Sequence, residues 1–148
     1  MKPFRGRPLR SRAWIVFPAV VLTALDGLLT LYRQPLAYWA GEFSASHEYS
    51  PLGHFFLALH PAAFAGMMLF WTLVVFLGGL LLEDPWGRIW ALMIVIGHTT
   101  GSFDWLQSFN YFGGLTVFLA AAAMTVFSWR KADRLADRHR SLVGSYWR

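Results

Sequence analysis

Apolar positions in this chain run in long blocks and do not alternate with polar ones. The blocks cover residues 13–31, 55–82, 89–96 and 111–129. A membrane crossing needs ~20 mostly apolar residues, because each helical residue rises ~1.5 Å through a hydrocarbon layer of ~30 Å. The first, second and fourth blocks reach that length. The third reaches it only together with its polar continuation, Gly97-His98-Thr99-Thr100-Gly101-Ser102-Phe103-Asp104-Trp105-Leu106. Counting that continuation predicts an all-α membrane protein: a four-transmembrane-helix bundle with spans over 13–32, 52–82, 87–107 and 111–129. Leaving it out predicts three spans. Either way the whole chain, 1–148, reads as one integral-membrane domain with tails at 1–12 and 130–148.

Local signals refine these spans. Pro18 falls in the opening turns of the first helix, where proline is tolerated. Thr23, Asp26 and Thr30 stand three, four and seven residues from one another, which puts them on one helical face. The connection 33–50 is the longest, and its Leu36-Ala37-Tyr38-Trp39 suits the interface, where Tyr and Trp are favoured. Ser50-Pro51 has the form of an N-cap followed by proline at the first helical position. One helix from Pro51 to Leu82 would measure ~48 Å, longer than the hydrocarbon core, and Pro61 offers a bend. Asp84 and Pro85 can cap and start the third helix, in a turn so short that its two helices must be neighbours. Residues 105–110 make the second outer connection. The fourth helix carries Gly113, Gly114 and the alanines 120–123, which allow close approach. Its sequel 130–140, Arg-Lys-Ala-Asp-Arg-Leu-Ala-Asp-Arg-His-Arg, reads as a solvated helical extension.

Composition agrees with a membrane reading: 56% of residues are hydrophobic and 14% charged, against roughly a quarter charged in soluble domains. The net charge of +5 sits at the ends. Lys2, Arg5, Arg7, Arg10 and Arg12 precede the first block; Arg130, Lys131, Arg134, Arg138, Arg140 and Arg148 follow the last. The positive-inside rule then puts both termini in the cytoplasm, Arg88 on a cytoplasmic hairpin and Arg33 outside. The expected location is a bacterial-type inner (plasma) membrane, crossed several times. The basic tails read as topology signals that also meet anionic lipid head groups, not as a nucleic-acid surface. The N-terminal apolar run is longer than a secretory h-region and lacks a small-x-small cleavage site, so it is expected to be a retained anchor. The chain has no cysteine, which excludes disulfides and thiolate-ligated metals.

Depth selects which polar groups can meet. Counted from the cytoplasmic ends, Asp26 lies ~20 Å along the first helix and Ser102 ~21 Å along the third. Asp26, His60, His98, Ser102 and Asp104 are thus expected in the outer half of the bilayer, facing one another and not lipid, where each would cost a few kcal/mol. Gly97-x-x-x-Gly101 is a close-packing motif on the same stripe. Asp26 can fix helix register through a hydrogen bond, and Thr99, Thr100 and Ser102 can bond back to their own helix.

Asp26-x-x-x-Thr30, followed by Glu48-x-x-Pro51-Leu52 at the entry to the second helix, resembles an uncharacterised family of small bacterial integral-membrane proteins. Those proteins carry an Asp-x-x-x-Thr helix and a Glu-x-Asn-Pro-Leu entry. The resemblance covers the first half of the chain. Ser50 stands where the family has asparagine, and a lysine expected in the second helix is absent. The resemblance implies membership in a family without a known reaction and assigns no catalytic residue.

Three chemistries fit the polar residues. A b-type haem could be held between His60 and His98 on different helices, with glycines making room. A divalent metal could be bound by His54, His60, His98, Asp26, Asp104 and Glu48. Proton or ion passage could use the Asp/His cluster. Intramembrane proteolysis is disfavoured, because Gly101-Ser102-Phe103-Asp104 lacks the second glycine of Gly-x-Gly-Asp and Ser102 has no Gly-x-Ser-x-Gly context. The leading expectation is non-enzymatic: a small polytopic accessory subunit whose polar interior fixes helix packing. Eight tryptophans and thirteen phenylalanines offer surface to the lipid bilayer, other membrane subunits or a second copy.

Overall fold

The computed structural model describes residues 7–107 and 111–145. Ser108 to Asn110, within the second outer connection, and the tail residues Lys2, Arg5 and Arg148 lie outside them. The described chain is helical: α1 (Leu9–Tyr32), α2 (Leu36–Trp39), α3 (Pro51–Leu59), α4 (Pro61–Leu81), α5 (Trp86–Gln107) and α6 (Tyr111–Ser145), with one 3-10 turn at Phe43–Ala45. Three helices are long and apolar enough to cross a membrane: α1, α4 and, within α6, Phe112–Leu142. The basic sequel of the last apolar block continues α6 without interruption, as its sequence predicts.

The helix expected over 52–82 is divided. Pro61 cannot donate a backbone hydrogen bond, and it pushes the preceding residue into extended backbone. His60 accordingly has φ −178° and ψ 147°, ends α3 and caps α4, its Nδ1 accepting the Ala62 N–H at 3.0 Å. Ser50 caps α3 as anticipated, with Oγ accepting from the Gly53 amide at 3.2 Å. Asp84 turns its carboxylate to Arg7 and Arg88, and α5 begins at Trp86.

Helix α1 packs against α4, α5 and α6, and α5 packs in turn against α4 and α6. Pairings give the directions. Gly79 faces Val16 and Gly27 faces Met68, so α1 and α4 are antiparallel at one register. At Gly79 a Cβ would lie 2.4 Å from the Val16 side chain, so the absent side chain is what lets these helices touch. Asp26 meets His98 while Arg7, just before α1, meets Asp84, just before α5, so α1 and α5 run parallel. Ser11 donates to the Ala132 carbonyl at 2.8 Å and Trp129 to the Ile15 carbonyl at 3.2 Å, which makes α6 antiparallel to α1. Ile15, Val16, Ala19, Leu22, Val75, Ala91, Val95, Val117 and Ala121 form the shared core.

The two ends are closed differently. At the α1 N-terminal end, Arg7 and Arg88 interleave with Asp84 and Asp133, with Arg7 Nη1 2.9 Å from Asp133. Burial opposes the Arg7 charge, but its bonds to Asp133 and Asp84 outweigh that and hold its pKa above the ordinary value. Arg12 donates to the Leu80 carbonyl at 3.0 Å, capping the last turn of α4. At the other end, Gln34 is buried; its Nε2 donates to the Thr30 and His47 carbonyls at 2.8 and 3.0 Å, and its Oε1 accepts the His47 amide at 2.8 Å. Tyr38, fully buried, donates to the Leu57 carbonyl at 3.2 Å and packs on Phe43.

Candidate functional site

The polar run after the third apolar block is helical throughout and continues α5. Its histidine joins a chain of hydrogen bonds across three helices. Trp71 Nε1 on α4 donates to His98 Nε2 at 3.1 Å, and His98 Nδ1 lies 2.8 Å from Asp26 Oδ2 on α1. An indole N–H only donates, so Nε2 is the accepting nitrogen and Nδ1 carries the hydrogen that bonds Asp26. The tautomer is therefore set by Trp71. Both side chains of the acid–imidazole pair are largely enclosed, at 19% and 18% exposure for Asp26 and His98.

Gly101 lets Asp26 reach this position. A Cβ there would stand 2.7 Å from Asp26 Oδ1 and 2.9 Å from Oδ2. The carboxylate thus lies against the bare backbone of α5, one turn beyond the imidazole it binds. Gly97 behaves differently: nothing lies within 4 Å of its Cβ direction. Only the second glycine of the Gly97-x-x-x-Gly101 motif brings helices together, because Gly97 is on the exposed side of α5.

The other candidates are placed apart from the pair. His60 is exposed at the start of α4, its ring edge-on to Phe43 at 5.2 Å. Trp71, which His98 touches, is eleven residues further along α4, roughly 16 Å at 1.5 Å per residue. His60 and His98 therefore do not face each other as the sequence suggested; the break at Pro61 gives His60 a capping role at the helix end. His54 is exposed, with Nδ1 3.2 Å from the Ser46 hydroxyl. Glu48 accepts the Ser50 amide at 2.8 Å and its stem lies against Gly53, so it organises the entry to α3. Asp104 is exposed on α5 and does not join Asp26. Among the described residues, no three His, Asp or Glu side chains converge as a metal group would require.

The hydroxyls divide. Thr100 donates back to the Ile96 carbonyl at 2.9 Å, as expected of a helical threonine. Thr99 and Ser102 do not: they are buried, at 2% and 0% exposure, with no hydrogen-bond partner for their oxygens, as is Thr23 on α1. Thr99 and Ser102 are thus small side chains enclosed on the buried side of α5. Within Asp26-x-x-x-Thr30, Asp26 holds His98 and Thr30 is buried, its carbonyl accepting from Gln34.

Sequence reasoning missed Trp71. A signal was present: a tryptophan deep in an apolar segment needs an acceptor for its N–H, and Trp71 lies midway along α4. Comparison with protein-family models, with curated proteins and with solved structures finds no match to this chain.

Proposed function

We propose that the chain is a small polytopic membrane protein of four spans with both termini cytoplasmic, acting as a non-enzymatic accessory or partner-binding subunit. The observation that carries this reading is the saturation of the Trp71–His98–Asp26 chain. Both nitrogens of His98 are engaged by protein groups. An imidazole so engaged offers no lone pair to a metal or haem, and a carboxylate held against a glycine backbone locks helix register. Interhelical hydrogen bonds of this kind contribute about 0.6–2 kcal/mol each within a membrane. Four spans are supported by the parallel course of α1 and α5, which stay in contact from Arg7–Asp84 to Asp26–His98. If α1 crosses the bilayer, α5 crosses beside it, with His98 turned to Asp26 on α1 and Trp71 on α4. Much of α4 faces outward, with Leu69, Phe70 and Leu73 exposed, as a helix touching lipid or a partner requires.

Proton handling is the second reading, favoured by one feature: an acid and an imidazole in direct contact, the pairing from which intramembrane proton relays are built. The experiment that separates the two reconstitutes the full chain in liposomes under an imposed pH gradient and records a visible spectrum of the same preparation. The accessory reading expects no proton leak and a colourless protein. It expects Asp26→Asn to keep the fold, because an amide oxygen still accepts from His98. It expects Asp26→Leu to lower folded yield, because His98 Nδ1–H is left unpaired. A leak in the wild type that Asp26→Asn abolishes without unfolding would move the assignment to proton handling. A Soret band lost in His60→Ala or His98→Ala would move it to haem.

A further inference from the structure

The outward side of α1 near its N-terminus is left uncovered. Helices α4 and α6 both pack on α1, but among the described residues they do not meet each other. On α1, beside α4, is an open notch of about 180 Å³ lined by Ala13, Trp14, Phe17, Val20 and Phe76, all apolar. Trp14 also meets α6, where the Phe127 ring stands edge-on to it at 6.4 Å. Phe17 and Phe127 are 42% and 62% exposed, so the aromatic surface is presented outward.

The rim of this notch is cationic. On α1, Arg10 precedes Trp14 by four residues and Phe17 by seven, so the three share one face. On α6, Phe127, Lys131 and Arg134 are spaced in the same way. Lys131 Nζ sits over the Trp14 ring at 3.7 Å to the centroid, joining the two stripes where apolar surface gives way to charge. Arg10, Lys131 and Arg134 are exposed. The nearest acids on α6 are engaged with other cations: Asp133 with Arg7 and Arg88, Asp137 with Arg140 at 2.7 Å.

We propose that this notch is a binding site for one anionic phospholipid, its acyl chain along Trp14, Phe17 and Phe76 and its phosphate at Arg10 and Lys131. The proposal rests on the membrane reading above. An acyl chain makes no hydrogen bonds, which suits a notch lined only by apolar side chains. A single negative head group suits a rim of cations whose neighbouring acids on α6, Asp133 and Asp137, are already paired. A peptide would bring backbone groups that this lining cannot satisfy.

The test titrates full-length protein in mild detergent with palmitoyl-oleoyl phosphatidylglycerol or with phosphatidylcholine of the same chains, and counts bound lipid by native mass spectrometry. We expect one phosphatidylglycerol to bind preferentially. The double variant Arg10→Gln/Lys131→Gln should lose about thirtyfold in affinity for it, the effect of two basic contacts at a membrane surface, and should fall to the level of phosphatidylcholine. Arg138→Gln/Arg140→Gln, further along α6, should leave binding unchanged. Ala13→Phe fills the notch and keeps every cation; it should lose both lipids, so the result does not depend on the charge variant folding. Equal binding of the two lipids by the wild type overturns the proposal. So does a phosphatidylglycerol preference that survives Arg10→Gln/Lys131→Gln, or competition by millimolar inorganic phosphate, which would mark a free-anion site. Release of the wild type from membranes by carbonate would instead defeat the membrane reading itself.

Discussion

Two glycines one turn apart on α5 should respond to the same substitution in opposite ways. Alanine is a better helix former than glycine by about 1 kcal/mol. At Gly97 the new methyl meets nothing within 4 Å, so Gly97→Ala should be neutral or slightly stabilising. At Gly101 it arrives 2.7 Å from Asp26 Oδ1. Asp26 must then withdraw from α5, loosening its bond to His98, and overpacking of this kind costs about 1–3 kcal/mol. Thermal unfolding in detergent should show a lower midpoint for Gly101→Ala and no loss for Gly97→Ala. Equal midpoints would mean that Asp26 is not held against Gly101. Helical depth made the meeting of Asp26 and His98 legible, since both residues are counted from the same side. It could not tell which glycine faces the partner helix, because Gly97 and Gly101 are both compatible with a small-residue stripe. Nor could it anticipate that Thr99 and Ser102 would be buried without partners, because back-bonding is a local option open to every helical threonine and serine.

Among the connecting elements, the entry to α3 and the break before α4 were readable from Ser50-Pro51 and from Pro61, since proline acts on its own backbone and on the residue before it. The closure of the loop 33–50 was not readable. Gln34 satisfies three backbone groups there, and Tyr38 reaches the Leu57 carbonyl. A glutamine carries no positional signal in a sequence, and a tyrosine beside a tryptophan suggests an interface before it suggests a core. The consequence is testable. Gln34→Ala leaves the His47 amide and carbonyl without their partner, at a cost of about 1–3 kcal/mol where burial prevents water from replacing it. The loss should be local. Hydrogen exchange at His47 should accelerate, and a protease should cut within 40–50 before the long helices unfold. Protection at His47 unchanged in Gln34→Ala would show that the loop is held by Tyr38 alone.

For the molecule as a whole, the number of crossings turns on α5, which composition leaves ambiguous because its C-terminal half is polar. Contacts are more informative. Asp26 and Trp71 belong to helices apolar enough to span, and both bond His98. The turn before α5 is tied by Asp84 to Arg7 at the start of α1, and Arg88 reaches Asp133 on α6. Under the four-span proposal, a helix bound at both levels to its spanning neighbours crosses the layer with them. The four charges of that network also gather the start of α1, the α4–α5 turn and the charged part of α6 at one end. Reporter fusions decide the matter. A fusion after Arg33 should report the outer side, and fusions after Arg88 and after Arg148 the cytoplasmic side. With three spans, Arg33 and Arg148 would report the same side. Placing a reporter after Gln107 gives the sharpest result, because that position lies at the outer end of α5 only if Gly97 to Asp104 lie within the membrane. A cytoplasmic signal there would part His98 from Asp26 and Trp71, whose helices still cross, and overturn the four-span reading.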